Sequence, residues 1–159
     1  TYIKSDMDKS RFGSILVDEI ASSIIEAPKS RFFLDRIIYK GKTLLLKDFI
    51  LPLSSDETKI GYTKEQINWA IQNEEYIWKY FIGNEFLFKT DNDLIDRFII
   101  PAPFSKFYLE IDNESPGKIG QWIGWQILRS FRKKNPSFKI ADILNLSSEE
   151  LFKKANYKP

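Results

Sequence analysis

A mainly α-helical fold follows from three features of this 159-residue sequence. Phe12, Ile15, Leu16 and Ile20, with Glu19 and Ser23, recur at helical spacing over residues 8–26. Thr63 with Gln66, and Ser147 with Glu150, have the spacing of capping boxes that open helices. Residues 115–134 read as a long helix, with Ser115 as N-cap and Pro116 at the first helical position, where its missing N–H is harmless. Strand content is expected below roughly one residue in ten.

The elements follow in order. The helix over 8–26 ends at Pro28. A second helix spans 30–50, broken or bent near Gly41, and Pro52 follows it. Residues 53–62 read as a polar loop, and the helix opened by Thr63 runs to about Ile82. Asp91 or Thr90 caps a short helix to about Ile99, after which Pro101 and Pro103 force irregular chain. Residues 105–111 alternate weakly, as a short strand would. Asn135-Pro136 stops the long helix, residues 138–145 form a short one, and Ser147 starts a last helix ending near Asn156. The whole chain, 1–159, reads as a single helical domain with no internal repeat.

The long helix carries Gly117, Gly120 and Gly124. Each helical glycine is less favourable than alanine by about 1 kcal/mol, so close approach of another backbone is the expected reason. Gly120, Gly124, Ile127, Leu128 and Phe131 share one face. Lys118, Trp122, Trp125 and Arg129 form a stripe on the other side. Apolar residues nearly all round predict a buried helix. The Gly-x-x-x-Gly spacing also marks membrane helix dimers, but Lys118, Gln121, Gln126 and Arg129 interrupt the apolar run of about 20 residues that reading needs.

Hydrophobic residues make up 43% of the chain and aromatic ones 15%, which excludes disorder. The net charge of +2 gives no strong field, so nucleic acid is not an expected partner. The absence of cysteine excludes disulfides and thiolate chemistry. The absence of histidine removes the commonest general base and metal ligand, and with it serine–histidine nucleophile systems. No signal peptide is visible, and the opening Thr1-Tyr2-Ile3-Lys4 reads as the start of a fragment.

Two places invite chemistry. Asp18-Glu19-Ile20-Ala21-Ser22 has the frame of His-Glu-x-x-His, with Glu19 at the general-base position and Asp18 and Ser22 where the metal-binding histidines would stand; a solvated helix face is the plainer reading. Glu74 falls amid the apolar face of the 63–82 helix, formed by Ile67, Ala70, Ile71, Ile77, Trp78 and Phe81, so its carboxylate must find a cation or several donors. Glu110, Asp112 and Glu114 alternate, but they lack the pattern of a calcium hand and serve as negative charge at a helix N-terminus.

Pro101 through Lys118, running into Ile119-Gly120-Gln121-Trp122-Ile123-Gly124-Trp125-Gln126-Ile127-Leu128-Arg129-Ser130, closely resembles the GldB-type gliding-motility lipoproteins of the Bacteroidetes. Ile60-Gly61-Tyr62-Thr63, Trp78-Lys79-Tyr80-Phe81-Ile82 and Asn156-Tyr157-Lys158-Pro159 fit the same family. The resemblance covers essentially the whole chain as the C-terminal half of such a lipoprotein, and implies a preceding half with the signal peptide and lipid-bearing cysteine. More distantly, Gly120-Gln121-Trp122-Ile123-Gly124-Trp125 is similar to a Gly-Tyr-x-x-Gly-Tyr pattern of predicted zinc-dependent peptidases. That similarity implies the C-terminal helical part of a zincin-like metallopeptidase-type fold with its metal site lost. The ligand positions fall on Asp18, Ser22 and Lys40, of which a protonated lysine repels a dication.

The resemblance therefore implies a non-catalytic envelope lipoprotein without cofactor or metal. It would be lipid-anchored on the periplasmic side, in contact with the membrane only through an anchor outside this chain, and would bind other gliding and secretion proteins. Lys40 is then expected to pair with Asp18 or Glu19. Trp122, Trp125 and Arg129 form a candidate partner surface, which as a glycan-stacking platform would need exposed rings. A carboxylate-based, metal-dependent hydrolase would need Asp18, Glu19 and Glu74 to converge.

Overall fold

The computed structural model describes residues 2–159, with the side chains of residues 9 and 11–159. Among the described residues eight α-helices follow one another: α1 (Tyr2–Ile24), α2 (Phe33–Ile50), α3 (Asp56–Ile60), α4 (Lys64–Gly83), α5 (Asn92–Phe98), α6 (Ile119–Lys134), α7 (Ile140–Asn145) and α8 (Ser148–Ala155). Short 3-10 turns lie at Phe86–Phe88 and Glu110–Asn113, and no strand forms among the described residues. Nor is any of the described helices long and apolar enough to cross a membrane.

The expected caps hold where side chains are free to make them. Thr63 and Gln66 form a complete reciprocal box at the start of α4, Asp91 caps α5, and Ser147 accepts from the Glu150 N–H at α8. Four local expectations fail for identifiable reasons. Residues 105–111 are not a strand, because the Asp112 carboxylate accepts from the backbone N–H groups of Phe107 (2.8 Å) and Tyr108 (2.9 Å) and folds the segment back on itself. Ser115 does not cap α6, since its hydroxyl donates to the carbonyls of Ser105 and Asp112, both at 2.9 Å. The helix starts instead at Ile119, after Lys118 in a left-handed conformation. The polar stretch 53–62 contains α3, a single turn capped by the Ser55 hydroxyl and ended by Gly61 at φ 77°. Helix α2 runs unbroken through Gly41.

Gly41 is needed for contact, not for bending. A Cβ on Gly41 would run into the carbonyl of Gly124, and one on Gly124 would run into the carbonyl of Ile37. Helices α2 and α6 thus pass backbone to backbone, the close approach expected for the glycines of the long helix. Around this axis Phe33, Phe81, Phe98 and Phe107 stack edge-on or tilted, with successive centroids 5.3, 5.0 and 5.1 Å apart. Helix α1 attaches through a narrower contact, where Val17, Ala21 and Ile25 pack against Leu46 and Leu144. Its opposite side leaves Phe12, Ile15, Leu16, Ile20 and Ile24 between 46% and 62% exposed.

Candidate functional site

The frame at Asp18 lies on α1 where that helix crosses α2. The Asp18 carboxylate accepts from the Lys47 ammonium at 2.8 Å. Lys47, not Lys40, is therefore its cation. The two lysines are seven residues apart, two turns on one face of α2, and the antiparallel crossing brings the later one to Asp18. The expected pairing of Lys40 with Asp18 or Glu19 is corrected accordingly: Lys40 lies 5.8 Å from the Tyr39 ring centroid. Glu19 is exposed. The Ser22 hydroxyl turns back to donate to the Glu19 carbonyl at 2.7 Å, so it does not face the pair.

Lys47 also donates to the carbonyl of Lys59 at 2.9 Å, and Lys118 donates to the next carbonyl, that of Ile60. Ser14 of α1 reaches the Lys59 carbonyl as well, at 3.3 Å. Helix α3 ends in a left-handed glycine, so these carbonyls have no partner further along the chain. Two ammonium groups and a hydroxyl take their place. Burial lowers the pKa of Lys47 first, opposed by its bond to and the charge of Asp18. Burial likewise lowers that of Lys118, to which the charge of Lys47 adds.

Beside this cluster, Asp48 and Arg129 form a densely hydrogen-bonded polar network. Asp48 accepts from Lys59 (3.0 Å), from Arg129 Nε (2.9 Å) and Nη2 (2.8 Å), and from the Trp125 indole N–H (2.9 Å). Arg129 reaches both oxygens of Asp56 at 2.8 Å, and its guanidinium lies 3.7 Å from the Trp125 ring centroid. Burial works to raise the Asp48 pKa, but the bonds and charge of Arg129, with Lys59 and Trp125, outweigh it and hold the carboxyl below its ordinary value.

The stripe Trp122–Trp125–Arg129 is consequently no partner surface. Trp122 and Trp125 are 2% and 0% exposed and pack edge to face, with centroids 5.8 Å apart. Burial of the apolar face all round α6 claims these rings for the core, and Arg129 is consumed by two carboxylates. The glycan-stacking reading loses its platform with them.

Glu74 is half-buried and meets a phenol, not a cation: the Tyr157 hydroxyl donates to it at 2.6 Å. Burial raises its pKa against the opposing effect of that bond. The Trp122 indole N–H lies near enough to influence the carboxyl but reaches no hydrogen bond. Asp18, Glu19 and Glu74 do not gather: among the described residues no three histidine, cysteine, aspartate or glutamate side chains come within metal-holding reach of one another.

A cleft of about 370 Å³ opens elsewhere, between the α1–α2 turn and the α7–α8 junction, lined by Glu26, Asp35, Tyr39, Lys42 and Glu149. Lys42 is committed there to the carbonyls of Leu144 (2.9 Å) and Leu146 (2.7 Å). Sequence reading missed Lys42, Lys47, Lys59, Asp48 and Asp56. One signal was available: Lys42 and Lys47 bracket Leu44-Leu45-Leu46 on a helix that must be mostly buried.

The profile of the family described as gliding motility protein GldB matches residues 1–159. The chain belongs to that family. Its role therefore falls within gliding motility, and the family's label as a lipoprotein agrees with a place in the cell envelope. Neither the curated proteins nor the solved structures include a match.

Proposed function

We propose that this family member serves gliding motility and the associated secretion machinery as a non-catalytic binding component of the cell envelope. It would be held by a lipid anchor outside this chain, on the periplasmic side, on what remains of a peptidase-like fold. The observation that carries the reading is the Lys47–Asp18 pair. Asp18, which the peptidase resemblance would put at a metal-ligand position, is bonded to the Lys47 ammonium. The third-ligand position is a second lysine, Lys40. A dication at Asp18 would have to displace the Lys47 ammonium that already neutralises that carboxylate.

The test is made in gliding cells with the full-length protein. Glu19→Gln, which removes the carboxylate at the general-base position of the frame, should support gliding at the unsubstituted level. Loss of gliding with an unchanged melting temperature would show that the reading is wrong. Elemental analysis of the purified protein is expected to find no stoichiometric zinc.

A further inference from the structure

Lys47 and Lys118 reach into the crease between α1, α2 and the start of α6, with Lys40 and Arg11 flanking it within electrostatic reach, and Asp18 is the carboxylate that bonds there. Arg11 and Asp18 are seven residues apart and share a face of α1 with Ser14 between them; Lys40 and Lys47 share a face of α2 in the same way. The contacts fix how these faces meet. Lys47 bonds to Asp18 and to the Lys59 carbonyl, and Ser14 bonds to that same carbonyl. Lys118 reaches the adjoining carbonyl of Ile60, with its ammonium 3.5 Å from where a Cβ on Gly61 would stand. Asp48 cannot serve as a second counter-ion, because Lys59, Arg129 and Trp125 already occupy both of its oxygens.

Donors are left over. An ammonium carries three N–H groups. Lys47 spends two of them and Lys118 one, while Lys40 only borders the Tyr39 ring. Lys118 is also held in left-handed backbone at φ 51°, an uncommon state for a residue with a side chain and one that clusters at binding and switch sites. Burial, and then the charge of Lys47, make its ammonium form less favourable; Lys40 and Arg11 act in the same sense, and only Asp18 opposes them.

We propose that this crease binds the carboxylates of an acidic peptide segment. Asp18 already seats one carboxylate on Lys47 while its side chain stays 50% exposed, so the spacing of donors suits that group and leaves room beside it. Lys47 is recessed, with a side chain 5% exposed, which suits a chain laid into a crease better than a flat anionic membrane surface. A site for carboxylates deepens the binding role proposed above and depends on it.

Fluorescence anisotropy with labelled hexaglutamate at low ionic strength tests the site in the protein. Binding should weaken about tenfold in Lys40→Gln, a variant that breaks no hydrogen bond and should melt with the parent protein. It should tighten in Asp18→Asn, which removes the resident carboxylate charge, and stay unchanged in Lys153→Gln, whose exposed lysine pairs with Glu149 on α8. No binding, equal weakening in Lys153→Gln, or weakening in Asp18→Asn each overturns the site. So does displacement by inorganic phosphate at lower concentration than by acetate, which would assign the crease to phosphate. None of these failures touches the non-catalytic reading, which stands or falls on gliding by Glu19→Gln.

Discussion

Asp48 and Glu74 both border the aromatic stripe of α6, yet the fold holds them in opposite ways. Asp48 receives four hydrogen bonds from three side chains, two of them cationic, and is held ionised. Glu74 receives one, from a phenol, and burial biases it toward the neutral acid. Burial pushes both carboxyls the same way. What separates them is the number and charge of the donors. A carboxylate inside a fold is thus no guide to chemistry until its partners are counted: the first is a structural tie between α2, α3 and α6, the second a tie between α4 and the C-terminal segment.

The largest effect should come from breaking the richer network. Arg129→Met leaves Asp48 and Asp56 without their shared cation and should lower stability by about 3–5 kcal/mol, read from urea unfolding. Gly124→Leu should lower it by roughly 1–3 kcal/mol or more, because the new side chain must displace the Ile37 carbonyl and drive α6 from α2. That separation would also pull Trp125 from Asp48, so tryptophan fluorescence should change along with the unfolding midpoint. An unchanged midpoint would mean that α2 and α6 do not meet through these glycines.

The smallest effect is expected at Glu74. Glu74→Gln keeps an acceptor for Tyr157 and removes the charge, so it should alter stability by less than about 1 kcal/mol, the partly exposed site being screened by solvent. Its sign depends on pH. With a folded pKa above the ordinary 4.5, Glu74 supports the fold at low pH, and that support is lost as pH rises through the folded value. Asp48 runs the other way. With a folded pKa below the ordinary 3.8, it supports the fold at neutral pH and loses that support as pH falls through the lowered value. Urea midpoints across pH should therefore show Glu74→Gln gaining on the parent protein as pH rises above 4.5 and then levelling. A constant difference would remove the contrast between the two carboxylates.

The helical class, the capping box at Thr63, the stops at Pro28 and Asn135-Pro136, and the need for backbone contact at Gly120 and Gly124 were all legible from the residues. Each rests on interactions within a few positions of the chain, or on a steric need that glycine alone meets. The family was legible too, because long consecutive strings of residues carry it. The tertiary structure alone decided which groups meet. It gave Asp18 to Lys47 instead of Lys40, because the crossing of α1 over α2, not the repeat of either helix, sets which turn lies opposite. It turned Ser115 from a helix cap into a bridge between the Ser105 and Asp112 carbonyls. It drew Trp122 and Trp125 into the core, since a helix apolar all round can be covered on every side only once its neighbours are in place. Ion pairs and burial depend on residues distant in the chain: Asp48 and Arg129 stand 81 positions apart. No local periodicity reports that distance.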